Sequence, residues 1–346
     1  RCGGCDWQHI DYQSQVRFKA KLIAHEIERA IGREIDPVGL VEPAAAEFGY
    51  RSRIRFQVGP RGAIGFHEFS SNRLVEVDSC LVAWPEMRLP LHLARSLGTR
   101  VVEIEVVSAG TREVLAAHLN RRAGAEETRR ARHVLESDPK IAGIVLRSGM
   151  HREIIGDATV MIELEGGLAL EVDADLFSQV NREQNRKLIA TVMTMAAPHD
   201  NSALLDLFCG AGNFSLPAAR RGARVTGVDA DIAAVAAAAK NARRLGFDTA
   251  QFSAIKASEV AGFLHRARYR AEIAILDPPR TGAAELIEPL LKLRPRTIVY
   301  VSCDAPTLSR DLRRLSDNGY RLAAVRAFDF FPNTHHAEIA VQLVLT

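Results

Sequence analysis

The sequence predicts an α/β fold built on a parallel sheet, preceded by a smaller α+β module. After Asp173, apolar runs alternate with helical segments, which is the pattern of successive βαβ units in a doubly wound sheet. Before that point, short segments of alternating polarity with turn glycines predict antiparallel strands. The change of pattern places a domain boundary between residues 1–172 and residues 173–346.

The composition is that of an ordinary globular protein. Of 346 residues, 47% are hydrophobic and 25% are charged, and a net charge of +3 does not by itself indicate a nucleic-acid partner. No apolar run approaches the roughly 20 residues of a membrane helix, and no signal peptide is visible. The five cysteines are odd in number and widely spaced, which argues against a disulfide framework and predicts a reducing cytosol.

The first module begins with a helix and continues with strands. From Tyr12 to about Ile31, apolar residues recur at helical spacing, and Gly32 ends the pattern. Residues 50–80 contain three alternating segments that predict antiparallel strands, and the mixed pattern continues to about residue 165. A further surface helix is predicted within residues 123–138.

The second module contains five strand-like apolar runs. Four of them, LLDLFCG, ARVTGVDA, EIAILDPPR and RTIVYVSC, are separated by helical segments and predict parallel strands. The fifth, AEIAVQLVLT, is predicted to form an antiparallel strand at the far edge of the sheet.

A glycine-rich turn follows the first of these runs. In LLDLFCGAGNFS, Gly210 and Gly212 let the backbone approach a ligand closely, and Asp206 precedes them. Asp229 ends the next strand, where an acid commonly binds ribose hydroxyls. A tight turn without a ligand would explain a lone G-x-G, but the acid one βα unit later favours a nucleotide-like cofactor. Because the third glycine of the dinucleotide fingerprint is missing, S-adenosylmethionine is favoured over NAD.

Two further patterns stand where later strands end. Asp277 follows the run EIAIL, and the two prolines after it fix a rigid loop beside the cofactor crevice. Asp277 either caps a helix there or accepts hydrogen bonds from the cofactor or a planar base. Cys303 ends the run RTIVYVS, at the edge where α/β proteins place their chemistry. Since buried cysteines are usually inert apolar residues, Cys303 is either filler or a nucleophile.

Several motifs in order resemble the RNA uracil-5-methyltransferases. They are CGGC, DLFCGAGNFSLP, DPPR, YVSCDAPTLSRD and FPNTHHAEIAVQL, and the similarity covers nearly the whole chain. Amino-methylating enzymes carry a DPPY-like motif, whereas Arg280 stands at the position of that aromatic. The resemblance implies a Rossmann-like class I methyltransferase domain that uses S-adenosylmethionine, with a smaller α+β iron–sulfur central domain. It also implies that a helical segment at about residues 8–39 packs on the catalytic domain.

The resemblance further implies a covalent mechanism. Carbon 5 of uracil is a poor nucleophile, and thiolate addition at carbon 6 enables it to attack a methyl group before a base removes the carbon 5 proton. Cys303 matches the nucleophile and Glu338 the base, with a solvated edge-strand acid as the alternative for Glu338. Cys209, inside the cofactor turn, is interpreted as a packing residue. The predicted cofactor-binding residues are Gln179, Phe208, Gly210, Asn213, Asp229 and Asp277.

The remaining cysteines form a candidate metal site. Cys2 and Cys5 belong to C-G-G-C, and together with the distant Cys80 they suit either zinc or an iron–sulfur site. The resemblance implies a 4Fe–4S cluster held by these three cysteines and by a fourth that precedes Arg1. Because the chain begins without methionine, we expect that an amino-terminal piece is missing. The cluster is expected to be structural or to face RNA, since methyl transfer needs no redox step.

Basic residues are interleaved with aromatic ones near the amino terminus. They are Arg17, Phe18, Lys19, Lys21, Tyr50, Arg51, Arg53, Arg55 and Phe56. In YRSRIRF the arginines alternate on a strand and share one face, which either contacts RNA phosphates or is simply solvated. A target uridine must be unpaired or flipped out of its stack to reach Cys303.

The predicted product is 5-methyluridine in 23S ribosomal RNA, because CGGC resembles the branch that modifies ribosomal RNA. The alternatives are a transfer RNA uracil-5-methyltransferase, a catalytically silent iron–sulfur RNA-binding protein, and a methyltransferase for a substrate other than RNA. RNA is the expected partner, without a membrane or an obligate protein partner, and the expected location is cytoplasmic.

Overall fold

Two sheets of different construction organise the protein. The computed structural model describes residues 2–87, 93–266 and 269–346. An eight-stranded sheet with a parallel core is formed mainly by the second half of the chain. A seven-stranded sheet is formed by the first half and is antiparallel except at one strand pair. The predicted α/β fold with a preceding α+β module is confirmed.

The described residues form helices and strands in the following order. The helices are α1 (Tyr12–Ile31), α2 (Leu93–Leu97), α3 (Ala125–Ser137), α4 (Arg182–Ala196), α5 (Ser215–Arg220), α6 (Ile232–Leu245), α7 (Ala257–Arg266), α8 (Ala284–Leu293) and α9 (Ala305–Ser316). The strands of the first half are β1 (Val41–Glu42), β2 (Arg53–Val58), β3 (Ile64–His67), β4 (Leu74–Glu76), β5 (Val101–Ala109), β6 (Arg112–Leu119), β7 (Ile141–Ser148), β8 (His151–Gly156), β9 (Thr159–Glu163) and β10 (Ala169–Asp173). Those of the second half are β11 (Ala203–Leu207), β12 (Arg224–Asp229), β13 (Ala250–Ala254), β14 (Ile273–Leu276), β15 (Thr297–Ser302), β16 (Tyr320–Phe328) and β17 (Glu338–Leu345).

The large sheet has the strand order β1-β16-β17-β15-β14-β11-β12-β13. Strands β13, β12, β11, β14 and β15 run parallel, so their carboxyl ends meet at one edge. Strand β17 is antiparallel to both of its neighbours, as predicted. Its predicted place at the far edge is wrong, because β17 lies between β15 and β16. Its nearly continuous apolar run, buried from Glu338 to Val341, is typical of an internal strand.

Helix α1 packs against the large sheet and helix α9. It spans the predicted residues, with Asp11 accepting a hydrogen bond from Ser14 N at 2.9 Å and Gly32 ending the helix in the left-handed conformation. Its buried Ile23 and Ile27 belong to the same apolar core as residues of β15 and α9. The Ser309 hydroxyl of α9 donates to the α1 carbonyl of Glu26 at 2.7 Å.

A hairpin and a short connecting segment join the two sheets. Strands β9 and β10 pair in antiparallel fashion, and their buried residues pack in one core with α4. Residues 174–181 then lead from β10 to α4, which Asn181 caps by accepting a hydrogen bond from Gln184 N. This path carries Gln179 to the large sheet. No helix in the three described ranges is long and apolar enough to cross a membrane.

Candidate active site

Cys303 lies at the edge where the parallel strands end. It follows β15 directly, and Asp304 then caps α9 by accepting a hydrogen bond from Thr307 N at 2.9 Å. Cys303 is partly exposed, so a ligand can reach its thiol. A position beside a helix N-terminus favours the thiolate form of a cysteine. These features suit a nucleophile better than an inert core residue.

The antiparallel β17 brings Glu338 beside Cys303. Ser302 of β15 pairs with Ile339 of β17, so Cys303 and Glu338 are the residues immediately beyond that pair. Glu338 is only 5% exposed and lies on an internal strand, so the alternative of a solvated edge-strand acid is wrong. Burial, and then the charge of Asp277, raise the pKa of Glu338 well above its ordinary value. Such displaced pKa values are typical of groups that exchange protons during catalysis.

The thiol of Cys303 is held between charges of opposite effect. Burial, followed by the negative charge of Glu338, raises the pKa of Cys303 to about 11. The guanidinium of Arg280 acts in the opposite direction and lowers it. In the free protein the thiol is therefore protonated at neutral pH, and Arg280 is the cation that favours its ionisation.

Arg280 is a site residue that the sequence reasoning missed, since it was considered only as a departure from DPPY. Its Nη2 lies 3.2 Å from Nε2 of His336. Burial and the Arg280 charge lower the pKa of His336 to about 4, so this imidazole is neutral at pH 7 and can accept a hydrogen bond from Arg280. The neighbouring His335 also makes a side-chain contact, with its Nδ1 2.6 Å from Asp6 Oδ2. The position of Arg280 after the DPP turn of a neighbouring strand was the available signal.

Five of the predicted cofactor-binding residues line one pocket beside Cys303 and Glu338. They are Gln179, Phe208, Gly210, Asn213 and Asp277. Phe208 adopts φ +63°, a left-handed conformation that is uncommon outside glycine and often occurs at functional turns. The Asn213 and Asn185 amides donate to each other at 2.9 and 3.0 Å, which fixes the orientation of Asn213. The glycine-rich turn and Gln179 thus contribute to the same pocket.

Asp229, the sixth predicted cofactor residue, stabilises the glycine-rich turn through a hydrogen bond from Gly210. Its Oδ2 accepts a hydrogen bond from Gly210 N and its Oδ1 from Asp231 N, both at 2.9 Å. Both bonds hold the carboxylate at the end of β12, beside the end of β11. This placement is compatible with ribose binding, which stays a prediction.

Two further carboxyl groups lie at this edge, those of the fully buried Asp206 and the half-buried Asp277. Burial raises the pKa of Asp206 to about 7, against the opposing effect of a hydrogen bond from Ser215 Oγ at 2.5 Å. Oδ1 of Asp206 has no hydrogen-bond partner among the described residues. Burial, and then the charge of Asp229, raise the pKa of Asp277 to about 7. The carboxyl edge of the large sheet therefore concentrates acids whose charged forms are poorly compensated.

The other cysteines differ from Cys303 in their surroundings. Cys209 is buried, and burial raises its pKa well above the ordinary value, which agrees with a packing role. Cys2 and Cys80 both lie near enough to Cys5 to raise its pKa through their charges, after the larger effect of burial. Nevertheless, the part of the chain that the structure describes contains no group of three His, Cys, Asp or Glu residues placed to hold a metal ion. The three thiols have the right donor chemistry but do not converge as ligands.

The predicted phosphate-binding face is only partly available. Arg53 is 5% exposed and makes an ion pair with Glu105 at 2.9 Å, so its assignment to a surface face is wrong. Lys19 is also buried, with Nζ 2.6 Å from Asp329 Oδ1, and cannot contact RNA. Arg55 keeps about half of its side chain exposed. The alternation of residues along β2 placed Arg53 and Arg55 on one face of the sheet. It could not show that this face is covered by other residues at Arg53.

Comparison with known proteins identifies relatives along the whole chain. A family model described as tRNA (Uracil-5-)-methyltransferase matches residues 84–345. An uncharacterized RNA methyltransferase of Halalkalibacterium halodurans is 32% identical over 380 residues, covering 100% of this chain and 82% of the relative. The 23S rRNA (uracil(1939)-C(5))-methyltransferase RlmD of Pseudomonas putida is 31% identical over 358 residues, covering 98% of this chain and 77% of the relative.

A solved structure shares the fold. The tRNA (uracil-54, C5)-methyltransferase of Pyrococcus abyssi, in complex with S-adenosyl-L-homocysteine, superposes with a TM-score of 0.77 at 24% identity. The match covers 99% of this chain and 86% of that protein. At this identity the likeness shows the architecture common to the two chains.

Proposed function

The chain belongs to the tRNA (uracil-5-)-methyltransferase family, and from this premise we propose that it methylates carbon 5 of a specific uridine in 23S ribosomal RNA. As a member of the family, it is an S-adenosylmethionine-dependent RNA (uracil-5-)-methyltransferase. Ribosomal RNA is preferred as the substrate because relatives at about 31% identity act on 23S rRNA. A transfer RNA substrate would use the same chemistry.

One observation carries the proposed mechanism. Cys303 and Glu338 are adjacent in the register of β15 and β17, at the sheet edge that also bears the cofactor pocket. A nucleophile and a separate proton acceptor are the two groups that methylation at carbon 5 requires. Arg280 supplies the positive charge that favours the Cys303 thiolate.

The proposed reaction begins when the Cys303 thiolate adds to carbon 6 of the uracil and the ring electrons move to form an enolate. Carbon 5 then takes the methyl group that S-adenosylmethionine would supply, which would leave S-adenosylhomocysteine as the second product. Glu338 removes the carbon 5 proton, and the electron pair of that C–H bond forms the carbon 5–carbon 6 double bond as the Cys303 sulfur leaves. The thiolate is regenerated and one proton is released for each methyl group transferred.

The test uses 23S ribosomal RNA that contains 5-fluorouridine. Fluorine at carbon 5 cannot leave as a proton, so incubation with S-adenosylmethionine should trap a denaturant-stable adduct at Cys303. Mass spectrometry of the digested adduct should locate the bond, and Cys303→Ala should form none. As a second route, Glu338→Gln should accumulate the corresponding adduct, with hydrogen in place of fluorine at carbon 5, on unmodified RNA, because only proton removal is blocked.

The choice of RNA provides the outcomes of the test. An adduct with transfer RNA but not with ribosomal RNA would keep the mechanism and overturn the substrate. If neither RNA forms an adduct although the protein binds both RNA and cofactor, the mechanism is wrong and a catalytically silent RNA-binding role is favoured. Labelled methyl groups transferred to a protein or small molecule would identify a different acceptor.

For the cysteine cluster we propose that Cys2, Cys5 and Cys80 hold a 4Fe–4S cluster together with a fourth ligand outside this sequence. The support is their thiol chemistry and the nearness of Cys2 and Cys80 to Cys5, although the three thiols are not placed as a finished ligand set. Such a cluster would supply structural cross-linking, since the methyl transfer uses no electrons. Anaerobically purified full-length protein should contain iron and sulfide, lose both in Cys80→Ser and retain both in Cys303→Ala. Equal iron content in the two variants would contradict this assignment.

A further inference from the structure

The linker, residues 174–181, forms part of the pocket proposed to bind the cofactor. Phe177, Ser178 and Gln179 are three consecutive lining residues of that pocket. The linker has neither helical nor strand structure over most of its length, and Phe177 is 73% exposed. Its conformation must therefore be held by contacts from outside.

Arg53, on β2 of the seven-stranded sheet, makes three of these contacts. Its Nη1 donates to Leu176 O at 2.6 Å and to Ser178 Oγ at 2.9 Å, and its Nη2 donates to Ala174 O at 2.7 Å. Its Nε donates to Glu105 Oε1 at 2.9 Å, which anchors the guanidinium to β5. One buried side chain thus binds three alternate residues of the linker. The planar, five-donor guanidinium is suited to this, whereas a lysine ammonium carries all its donors on one atom.

Neighbouring contacts fix the two ends of the linker. The backbone nitrogen and the hydroxyl of Ser52 both donate to Val180 O, at 2.9 and 3.0 Å. At the other end, Arg147 and Arg152 bind the Asp175 carboxylate. Gln179 therefore stands between two anchored positions, Ser178 and Val180. Arg53 therefore connects the first half of the linker, at Ala174 and Leu176, to the second half, at Ser178.

We propose that Arg53 is a positioning residue for methyl transfer, which fixes the linker so that Gln179 and Phe177 complete the cofactor pocket. The proposal rests on the proposed function of that pocket. It assigns to the seven-stranded sheet a direct part in building the catalytic site, through a side chain that touches neither cofactor nor RNA.

The test compares Arg53→Lys with Arg55→Lys. Arg55 lies on the same strand and also pairs with Glu105, at 3.3 Å, but no hydrogen bond joins it to the linker among the described residues. Arg53→Lys keeps the charge beside Glu105 and loses the forked contacts. We expect a loss of about 10- to 100-fold in kcat/KM for methylation, with weakened binding of S-adenosylhomocysteine measured by calorimetry. Arg55→Lys should bind S-adenosylhomocysteine as the wild type does.

Several readouts separate positioning from loss of fold. Near-UV circular dichroism should show both variants folded, and hydrogen exchange should increase over residues 174–181 in Arg53→Lys alone. If Arg53→Lys does not fold, Ser178→Ala removes one contact, and a loss of about fivefold in cofactor affinity is expected. Because Ser178 also lines the pocket, the loss counts for the Arg53 contact only together with increased hydrogen exchange over residues 174–181. Wild-type affinity and exchange in a folded Arg53→Lys, or in Ser178→Ala, would overturn the inference. If the wild type binds cofactor but methylates no RNA, the proposed function fails while the binding comparison still tests Arg53.

Discussion

Buried acidic side chains are compensated differently in the two sheets. In the seven-stranded sheet and the linker, buried acids are paired with arginines, as in Arg53–Glu105 and Arg152–Asp175. At the carboxyl edge of the large sheet, Asp206 and Glu338 are equally buried, but their pKa values are raised because burial is not compensated. Paired buried charges hold a shape, whereas uncompensated ones can exchange protons. The arginine-paired acids are therefore expected to stabilise the fold, whereas Asp206 and Glu338 are expected to exchange protons.

The largest expected effect comes from Glu338→Gln, which removes the charge from an acid at the carboxyl edge of the large sheet without changing its shape. Methylation should fall about 1,000-fold, because the carbon 5 proton loses its acceptor. The free energy of unfolding at pH 7 should be unchanged or higher, since the buried group no longer has to ionise. Single-turnover methylation and urea unfolding of the same preparation measure the two quantities. A strong loss of stability would show that the charge of Glu338 stabilises the fold, and the proposed difference between the two sheets would be wrong.

Lys19 extends the comparison, because its ion pair joins helix α1 to Asp329, the residue after β16 of the large sheet, and here a buried acid is paired. Both side chains of the pair with Asp329 are fully buried, and Lys19 Nζ also donates to Phe331 O at 3.1 Å. Lys19→Met leaves an uncompensated buried carboxylate, so the free energy of unfolding should fall by about 4 kcal/mol. Urea unfolding provides the measurement.

A double variant provides the control for Lys19. Lys19→Met combined with Asp329→Asn should be more stable than Lys19→Met alone, since the second change removes the unpaired charge. If the double variant is less stable still, the pair is not the source of the effect, and pairing would not distinguish the two kinds of buried acid.

Glu105→Gln is the matched change on the scaffold side, since Glu105 and Glu338 are each 5% exposed. Removing its charge weakens the contact with Arg53, a residue that is 5% exposed and whose guanidinium would lose the compensating charge. We expect the free energy of unfolding to fall by about 3 kcal/mol. Denaturant unfolding alongside Glu338→Gln checks this. Equal stability of the two glutamine variants would show that the two sheets do not differ as described.

The sequence predicted the parts of the molecule that local patterns determine. Apolar periodicity predicted α1 and four of the five parallel strands, β13 being missed, and the motif resemblance named Cys303, Glu338 and five residues that line one pocket. The internal position of β17 was missed because strand order depends on pairing between distant segments. The burial of Arg53 and Lys19 was missed for a similar reason. Their partners, Glu105 and Asp329, lie 52 and 310 positions away, and charge alone suggests solvent exposure.

Arg280 offers a smaller effect, on pH dependence. The pKa of Cys303 is about 11 and that of Glu338 is raised, so both required ionisations become more complete as pH rises. Methylation should therefore increase from pH 6 to pH 9. Arg280→Ala removes the cation that lowers the thiol pKa and should move the profile to higher pH, whereas Arg280→Lys should move it less. Single-turnover pH–rate profiles measure this, and an unshifted Arg280→Ala profile would contradict the role.

The smallest expected effect is the change in stability when Asp206 is replaced by asparagine. The same change at the paired acid Asp175 should have the opposite sign. The pKa of Asp206 is about 7 in the folded protein and about 3.9 in an unfolded chain, so the folded state binds more protons between these values. The free energy of unfolding should therefore fall as pH rises from 4 to 7. Asp206→Asn should flatten that dependence and stabilise the protein at pH 8 by about 1 kcal/mol or more. An asparagine oxygen can still accept the hydrogen bond from Ser215.

Asp175→Asn is the matched change at a paired acid. The Asp175 side chain is equally inaccessible to solvent but is paired with Arg147 and Arg152. Its substitution should therefore destabilise the protein at pH 8. Thermal unfolding of both variants across pH 4–9 gives the two signs directly. The expected opposition follows from pairing, because neither side chain reaches solvent. If Asp206→Asn also lowers stability at pH 8, uncompensated burial does not set the cost of that acid. Catalytic and scaffold carboxylates would then have to be distinguished by position in the sheet and not by their partners.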